Sequence, residues 1–210
     1  GGHGTWILGA LFPDKFAAIG PSAGWISFRT YASRQKEDGS TDLERLAARP
    51  LLQGDTLALA QNYVNFGVYI LHGEKDENVP VAQSRQMAKT LAEFHKDFVY
   101  HEEKEASHWW DKSDEPGTDC VDWAPMFDFF ARHALRRKEL VREVDFVTAN
   151  PGISAQCHWA RIEAQTEQLK LSSVRLRVDP GQKRFSGTTQ NVTRLALDLS
   201  MLDEPGMIIV

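Results

Sequence analysis

The sequence predicts an α/β fold over residues 1–140, part of a sheet with flanking helices, followed by a partial all-β, sandwich-like domain over residues 141–210. Two patterns carry that expectation. From Gly67 to Arg137 an apolar run, an amphipathic segment, a second strand-like run, a loop and another amphipathic segment follow one another, which is strand and helix alternation. From Val141 onward the helical period disappears and apolar residues alternate with polar ones, as in half-buried antiparallel strands.

Each element has its own reason. Residues 4–11 read as a short helix that Pro13 stops, since proline cannot continue a helix and restricts the residue before it. Residues 16–20 are a short apolar run bounded by turn residues, the pattern of a buried strand, and Pro21-Ser22-Ala23-Gly24 makes the loop at its end. Residues 43–52 and 56–63 look helical and more polar, with Gln53-Gly54-Asp55 as the break. Residues 67–72 form the strongest strand, apolar almost throughout, as expected of a strand covered on both faces. Residues 81–96 predict a helix with Met87, Leu91 and Phe94 on one face, and residues 98–102 the next strand. Residues 123–137 predict a helix burying Trp123, Met126, Phe127, Phe130 and Ala131. Beyond Val141, Val174, Leu176 and Val178 alternate with Arg175, Arg177 and Asp179, and Leu195, Leu197 and Leu199 with Ala196 and Asp198. Asn150-Pro151-Gly152 and Asp179-Pro180-Gly181 supply turns. The apolar run Met207-Ile208-Ile209-Val210 ends without a turn, so further strands are expected beyond it.

Composition narrows the function classes. The 210 residues are 42% apolar and 25% charged, with eleven Phe and six Trp, which suits a globular core. A net charge of -5 argues against a nucleic-acid partner, whose phosphates need a basic surface. No apolar stretch approaches the roughly 20 residues of a membrane span. Two cysteines, Cys120 and Cys157, favour free thiols over a disulfide across the two domains, because two residues supply no framework. There is no initiating Met, and the first residues already read as a tight turn entering a helix. The chain is therefore expected to start downstream of its natural beginning, and the missing leader carries no information on localisation. No oligomeric state is assigned.

The chemistry is expected at two loops. Asp76 lies past the end of the strongest strand and His108 in the loop after the next one. Loops at neighbouring strand ends meet at the carboxyl edge of a parallel sheet. A hydrolytic serine needs a base for its hydroxyl proton and a carboxylate that holds the base in the right tautomer and stabilises the imidazolium. Acid before histidine, both after a glycine-rich turn such as Gly1-Gly2-His3-Gly4, is the order used by α/β-hydrolases, whose serine sits on a G-x-S-x-G turn. Asp76 and His108 are the candidate catalytic residues. Taken singly, Asp76 also reads as a turn residue and His108 as a surface histidine beside packing tryptophans. Val79-Pro80 opens the following helix, with Pro where its missing N–H costs little.

His72 is assigned to a strand end that turns the backbone, and His3 to packing near the glycine turn. His95, His101, His133 and His158 lack partners at metal-ligand spacing. A metal site of His72, Asp76 and His108 finds no supporting H-x-x-x-H or cysteine pair, so neither metal nor cofactor is expected. The glycine-rich start lacks the Lys-Ser/Thr of a phosphate-binding loop, and Asn191-Val192-Thr193 matches a glycosylation acceptor.

Together these segments resemble the catalytic domain of the prolyl oligopeptidase family of α/β-hydrolases. Gly1-Gly2-His3-Gly4-Thr5-Trp6 resembles the stretch after the nucleophilic serine, and residues 16–25 the next strand and its loop. His72-Gly73 through Val79-Pro80 is similar to the family's acid segment, in which the aspartate three before the valine is the triad acid; that position is Asp76, not Glu77. Ala106-Ser107-His108-Trp109-Trp110 matches the histidine segment, with Ser107 where a glycine often stands. The resemblance covers roughly residues 1–140, and the β-rich remainder looks like an accessory extension of large bacterial members. It implies a serine two residues before Gly1, a serine-type peptidase reaction on peptide or small ester substrates, and a 210-residue chain inactive by itself. The alternatives are a carboxylesterase on the same fold and a non-catalytic binding protein that keeps the scaffold.

Overall fold

The computed structural model describes residues 1–31, 41–114 and 116–202, so the apolar run at 207–210 lies outside the described residues. The chain divides into two compact units, Gly1–Leu135 and Arg136–Val210.

The first unit is α/β. Helix α1 (Gly2–Leu11) leads to a two-residue strand β1 (Ala18–Ile19), then to the short helices α2 (Phe28–Tyr31) and α3 (Asp42–Ala48). Strand β2 (Gly67–Gly73), helix α4 (Ala82–Ala92), strand β3 (Phe98–Glu103) and helices α5 (Asp119–Asp122) and α6 (Ala124–Ala131) follow. The three strands form a parallel sheet in the order β1-β2-β3. All seven residues of β2 are buried, as expected of a central strand with helices on both faces. Two side chains from the 3-10 turn Ala60–Asn65 tie down α1: the Asn62 amide donates to Ala10 O at 2.7 Å and the Tyr63 hydroxyl to Trp6 O at 2.8 Å. Ala10 O is one of the carbonyls a helix end leaves unbonded.

The helices are shorter than their sequence patterns. Instead of a helix over 43–52, α3 ends at Ala48 and a 3-10 turn, Arg49–Gly54, takes over, because Pro50 cannot donate to the α ladder. Only the 3-10 turn Ala60–Asn65 stands near the expected helix at 56–63. Helix α4 stops at Ala92 rather than Lys96. Helix α6 stops at Ala131 rather than Arg137, because the His133 ring Nδ1 bonds the Phe129 carbonyl at 2.7 Å and closes the last turn. Its buried side is Met126 and Phe129, whereas Phe127 is 52% exposed, so the face is rotated from the expected one.

The second unit is all-β. One antiparallel sheet has the order β4 (Glu143–Thr148), β7 (Ser172–Asp179), β8 (Arg184–Gln190). The other has the order β5 (Gln156–Cys157), β6 (Ala160–Gln165), β9 (Val192–Leu197). Val144, Phe146, Val174, Leu176 and Val178 of the first sheet share one core with Cys157, Ala160 and Ile162 of the second, and Trp159 fills it between β5 and β6. Burial along β7 alternates as the sequence pattern requires. Leu199 breaks the expected alternation: it lies in a 3-10 turn, Leu199–Met201, that the Asp198 side chain caps at Ser200 N. Asn191, between β8 and β9, takes the left-handed conformation with φ 55°. Its Oδ1 accepts from Glu167 N at 2.7 Å, and its Nδ2 donates to Glu167 O at 2.9 Å and Leu171 O at 3.3 Å.

Among the described residues no helix is long and apolar enough to cross a membrane. Both cysteines are buried free thiols, Cys120 in the first unit and Cys157 in the second.

Candidate active site

The site grows from the carboxyl ends of β2 and β3. Residue 73 must be small: a Cβ on Gly73 would stand 2.3 Å from Ser107 O and 2.6 Å from Ala106 O. That close approach lets the loop after β3 fold over the end of β2. Two backbone bonds fasten the loops together, Glu74 N to Glu103 O at 2.9 Å and Lys75 N to Ala106 O at 2.8 Å. Asp76 and His108 are thereby brought face to face.

The Asp76 side chain is fully buried, and its Oδ1 accepts from two backbone amides, Asn78 N at 2.8 Å and Val79 N at 2.7 Å. These bonds fix the plane of the carboxylate. Its Oδ2 lies 2.7 Å from His108 Nδ1. An ionised carboxylate only accepts, so Nδ1 of His108 carries the proton. The neutral ring then has its lone pair on Nε2, the atom a general base uses. The His108 side chain keeps 19% of its exposure.

His108 lines a cleft of about 340 Å³ with Gly1, Gly2, Ser22, Trp25, Val79 and Cys120. The Ser22 hydroxyl is given to the Cys120 carbonyl, so it is not the hydrogen-bond partner of His108. One wall is aromatic. His3 stacks on Trp25 with ring centroids 3.2 Å apart and 8° between planes, and Trp25 in turn stacks on Tyr31. The His3 Nδ1–H donates to Trp25 O at 2.8 Å, and burial pushes that imidazole below its ordinary value. Trp109, 69% exposed, stands edge-on to His108 at 5.0 Å.

Sequence reasoning missed one residue. His72 is completely buried and does more than turn the backbone. Its Nδ1 lies 2.7 Å from Ser84 Oγ on α4, and its Nε2 lies 2.9 Å from Val79 O and 3.1 Å from Asp76 Oδ2. A histidine closing an apolar, fully covered strand was the available signal, because buried polar atoms need partners. Among the described residues no group of three or more His, Cys, Asp and Glu is arranged to hold a metal ion.

Comparison with known proteins adds a family. The model of the prolyl oligopeptidase family matches residues 1–136. An uncharacterized secreted protein of Arthroderma benhamiae is 34% identical over 113 residues, 52% of this chain and 12% of that protein. Among solved structures, a dipeptidyl aminopeptidase IV candidate from Bacteroides ovatus overlaps with a TM-score of 0.48 at 14% identity, over 63% of this chain and 18% of that one. An acylaminoacyl peptidase solved with a Z-Gly-Gly-Phe chloromethyl ketone overlaps with a TM-score of 0.46 at 18% identity, over 65% and 23%. This chain thus spans about an eighth of the curated relative's length.

Proposed function

The chain belongs to the prolyl oligopeptidase family, and from that premise we propose that the whole protein is a serine-type peptidase in which His108 is the general base and Asp76 its orienting acid. The observation that carries this reading is the 2.7 Å contact between His108 Nδ1 and the buried Asp76 carboxylate, at the rim of the cleft. The nucleophile is a serine two residues before Gly1, as the resemblance of the opening segment implies.

The geometry suits acyl transfer. His108 Nε2 takes the serine proton as the oxygen attacks the scissile carbonyl carbon, and Asp76 stabilises the imidazolium that results. The same nitrogen returns the proton to the departing amine, leaving an acyl-enzyme. A water then repeats the two steps and frees the acid. Gly1 and Gly2 line the cleft at the first turn of α1, and the partial positive charge of a helix's amino end suits an oxygen on which negative charge develops. Peptides are the proposed substrates.

The test uses the full-length protein and a fluorophosphonate probe, which reports an activated serine. Wild type is expected to label, and His108→Ala to lose labelling. Asp76→Asn should lower kcat by about 10⁴-fold, because the amide donates to His108 and selects the wrong tautomer. Equal labelling of wild type and His108→Ala overturns the reading. A panel of matched peptide and ester substrates then decides between amidase and esterase.

A further inference from the structure

Two imidazoles face one carboxylate oxygen, and only one of them has access to the cleft. His108 Nδ1 is 2.7 Å from Asp76 Oδ2 and His72 Nε2 is 3.1 Å from it. The Val79 carbonyl, 2.9 Å from the same His72 nitrogen, can only accept. With two acceptors on one side, Nε2 must carry a proton. Nδ1 is then free to accept the Ser84 hydroxyl at 2.7 Å, which completes the ring's bonding as a neutral molecule. His72 touches both ends of the acid loop: Val79, whose own N–H holds Asp76 Oδ1, and Asp76 Oδ2 itself.

We propose that His72, held in one tautomer by the Val79 carbonyl and Asp76 and completed by the Ser84 hydroxyl, is the positioning residue of the acid: a neutral imidazole that pins the loop 76–79 and leaves the Asp76 charge to His108. The proposal rests on the hydrolase reading above. The charge falls to His108 because the His72 side chain is fully buried while that of His108 is 19% exposed, and a second buried cation beside Asp76 would have to shed its water. Burial accordingly holds the His72 imidazole below its ordinary value. The other charged groups facing it do not reverse this. Glu102, its register partner on β3, is committed to Arg85, whose Nε and Nη2 bond its two oxygens at 2.8 and 2.5 Å, and the Tyr100 hydroxyl also donates to it. Ser84 is the neutral contact from α4.

The effect expected is electronic as well as mechanical. An N–H beside Oδ2 stabilises the anion; without it the carboxylate binds the His108 imidazolium more tightly, and the His108 pKa rises. In the full-length protein, His72→Leu should lower kcat about 10- to 100-fold with KM within about two-fold, and move the acid limb of the kcat/KM profile up by about one unit. His72→Gln, which can keep a donor near the Nε2 position, should restore most of kcat and return the limb. Ser84→Ala should shift both the same way by less, and serves if His72→Leu does not fold. An active His72→Leu or Ser84→Ala enzyme whose acid limb does not move overturns the proposal, because a merely structural role changes the amount of folded enzyme and not its titration. A crystal structure of whichever variant folds supplies a readout independent of turnover: the 76–79 loop, released from the ring that holds Val79 O and Asp76 Oδ2, is expected to shift while the Asp76–His108 contact is kept, and an unmoved loop overturns the proposal. A wild-type protein that neither labels nor turns over overturns the hydrolase reading instead, and the crystallographic comparison still decides the role of His72.

Discussion

Asp76 is held as a rigid anion before any substrate arrives: two backbone amides fix Oδ1 and two imidazole nitrogens face Oδ2. Preorganisation of this kind removes the cost of turning a dipole during reaction. The buried imidazole behind it leaves a signature in stability. Because burial lowers the pKa of His72 in the folded protein, the unfolded chain takes up a proton there first as the pH falls. Its contribution to stability is complete above the ordinary value of about 6.5 and is lost as the pH drops from there through the depressed native value. Thermal melts should therefore fall more steeply as the pH is lowered below about 6.5 for wild type than for His72→Gln. Parallel melting curves would contradict this account.

The elements show why loops, more than strands, decide where chemistry happens. Gly73 ends β2 with no side chain, and the backbone of Ala106 and Ser107 occupies that space. Gly73→Ala should push the histidine loop outward, costing about 1–3 kcal/mol of stability and disproportionately more activity. Fluorophosphonate labelling of the folded variant checks it, and wild-type labelling would show that the loop yields without moving His108. Much of this was readable beforehand. The β2 and β3 runs, the alternation along β7, and the order of Asp76 and His108 are all local patterns. What escaped was non-local. His72 finds Ser84 on another element, α6 is ended by a side chain two residues past its last turn, and Phe127 faces solvent because Met126 and Phe129 hold the helix in another rotation. Periodicity reports that a face exists, and only packing decides which one is buried.

Across the molecule, the two units hold separate sets of buried residues. Tyr69, Leu71, Trp110, Met126 and Phe129 pack in one cluster of the α/β unit, and Phe146, Trp159, Ile162 and Val174 in the core of the β unit. Phe146→Ala should cost the β unit about 3–5 kcal/mol by opening a cavity among residues that cannot collapse onto it. Calorimetry should show that loss, with His108-dependent labelling unchanged at temperatures below the altered transition. Labelling lost in step with the β unit would show that the two cores do not unfold separately. The free thiols, one in each unit, add a simple control: reductant should leave both melting temperatures where they are.

Asn191 carries a consequence for how the protein is made. Its amide already closes the 167–171 turn from a left-handed backbone position, yet Asn191-Val192-Thr193 is also a signal that a eukaryotic secretory host reads on the nascent polypeptide. A sugar attached at that nitrogen replaces one of its two N–H bonds and crowds the carbonyls of Glu167 and Leu171 that it serves, so modification and maturation compete for one atom. Production in bacteria avoids that contest, and yield in yeast or insect cells should improve when Thr193, rather than Asn191, is replaced.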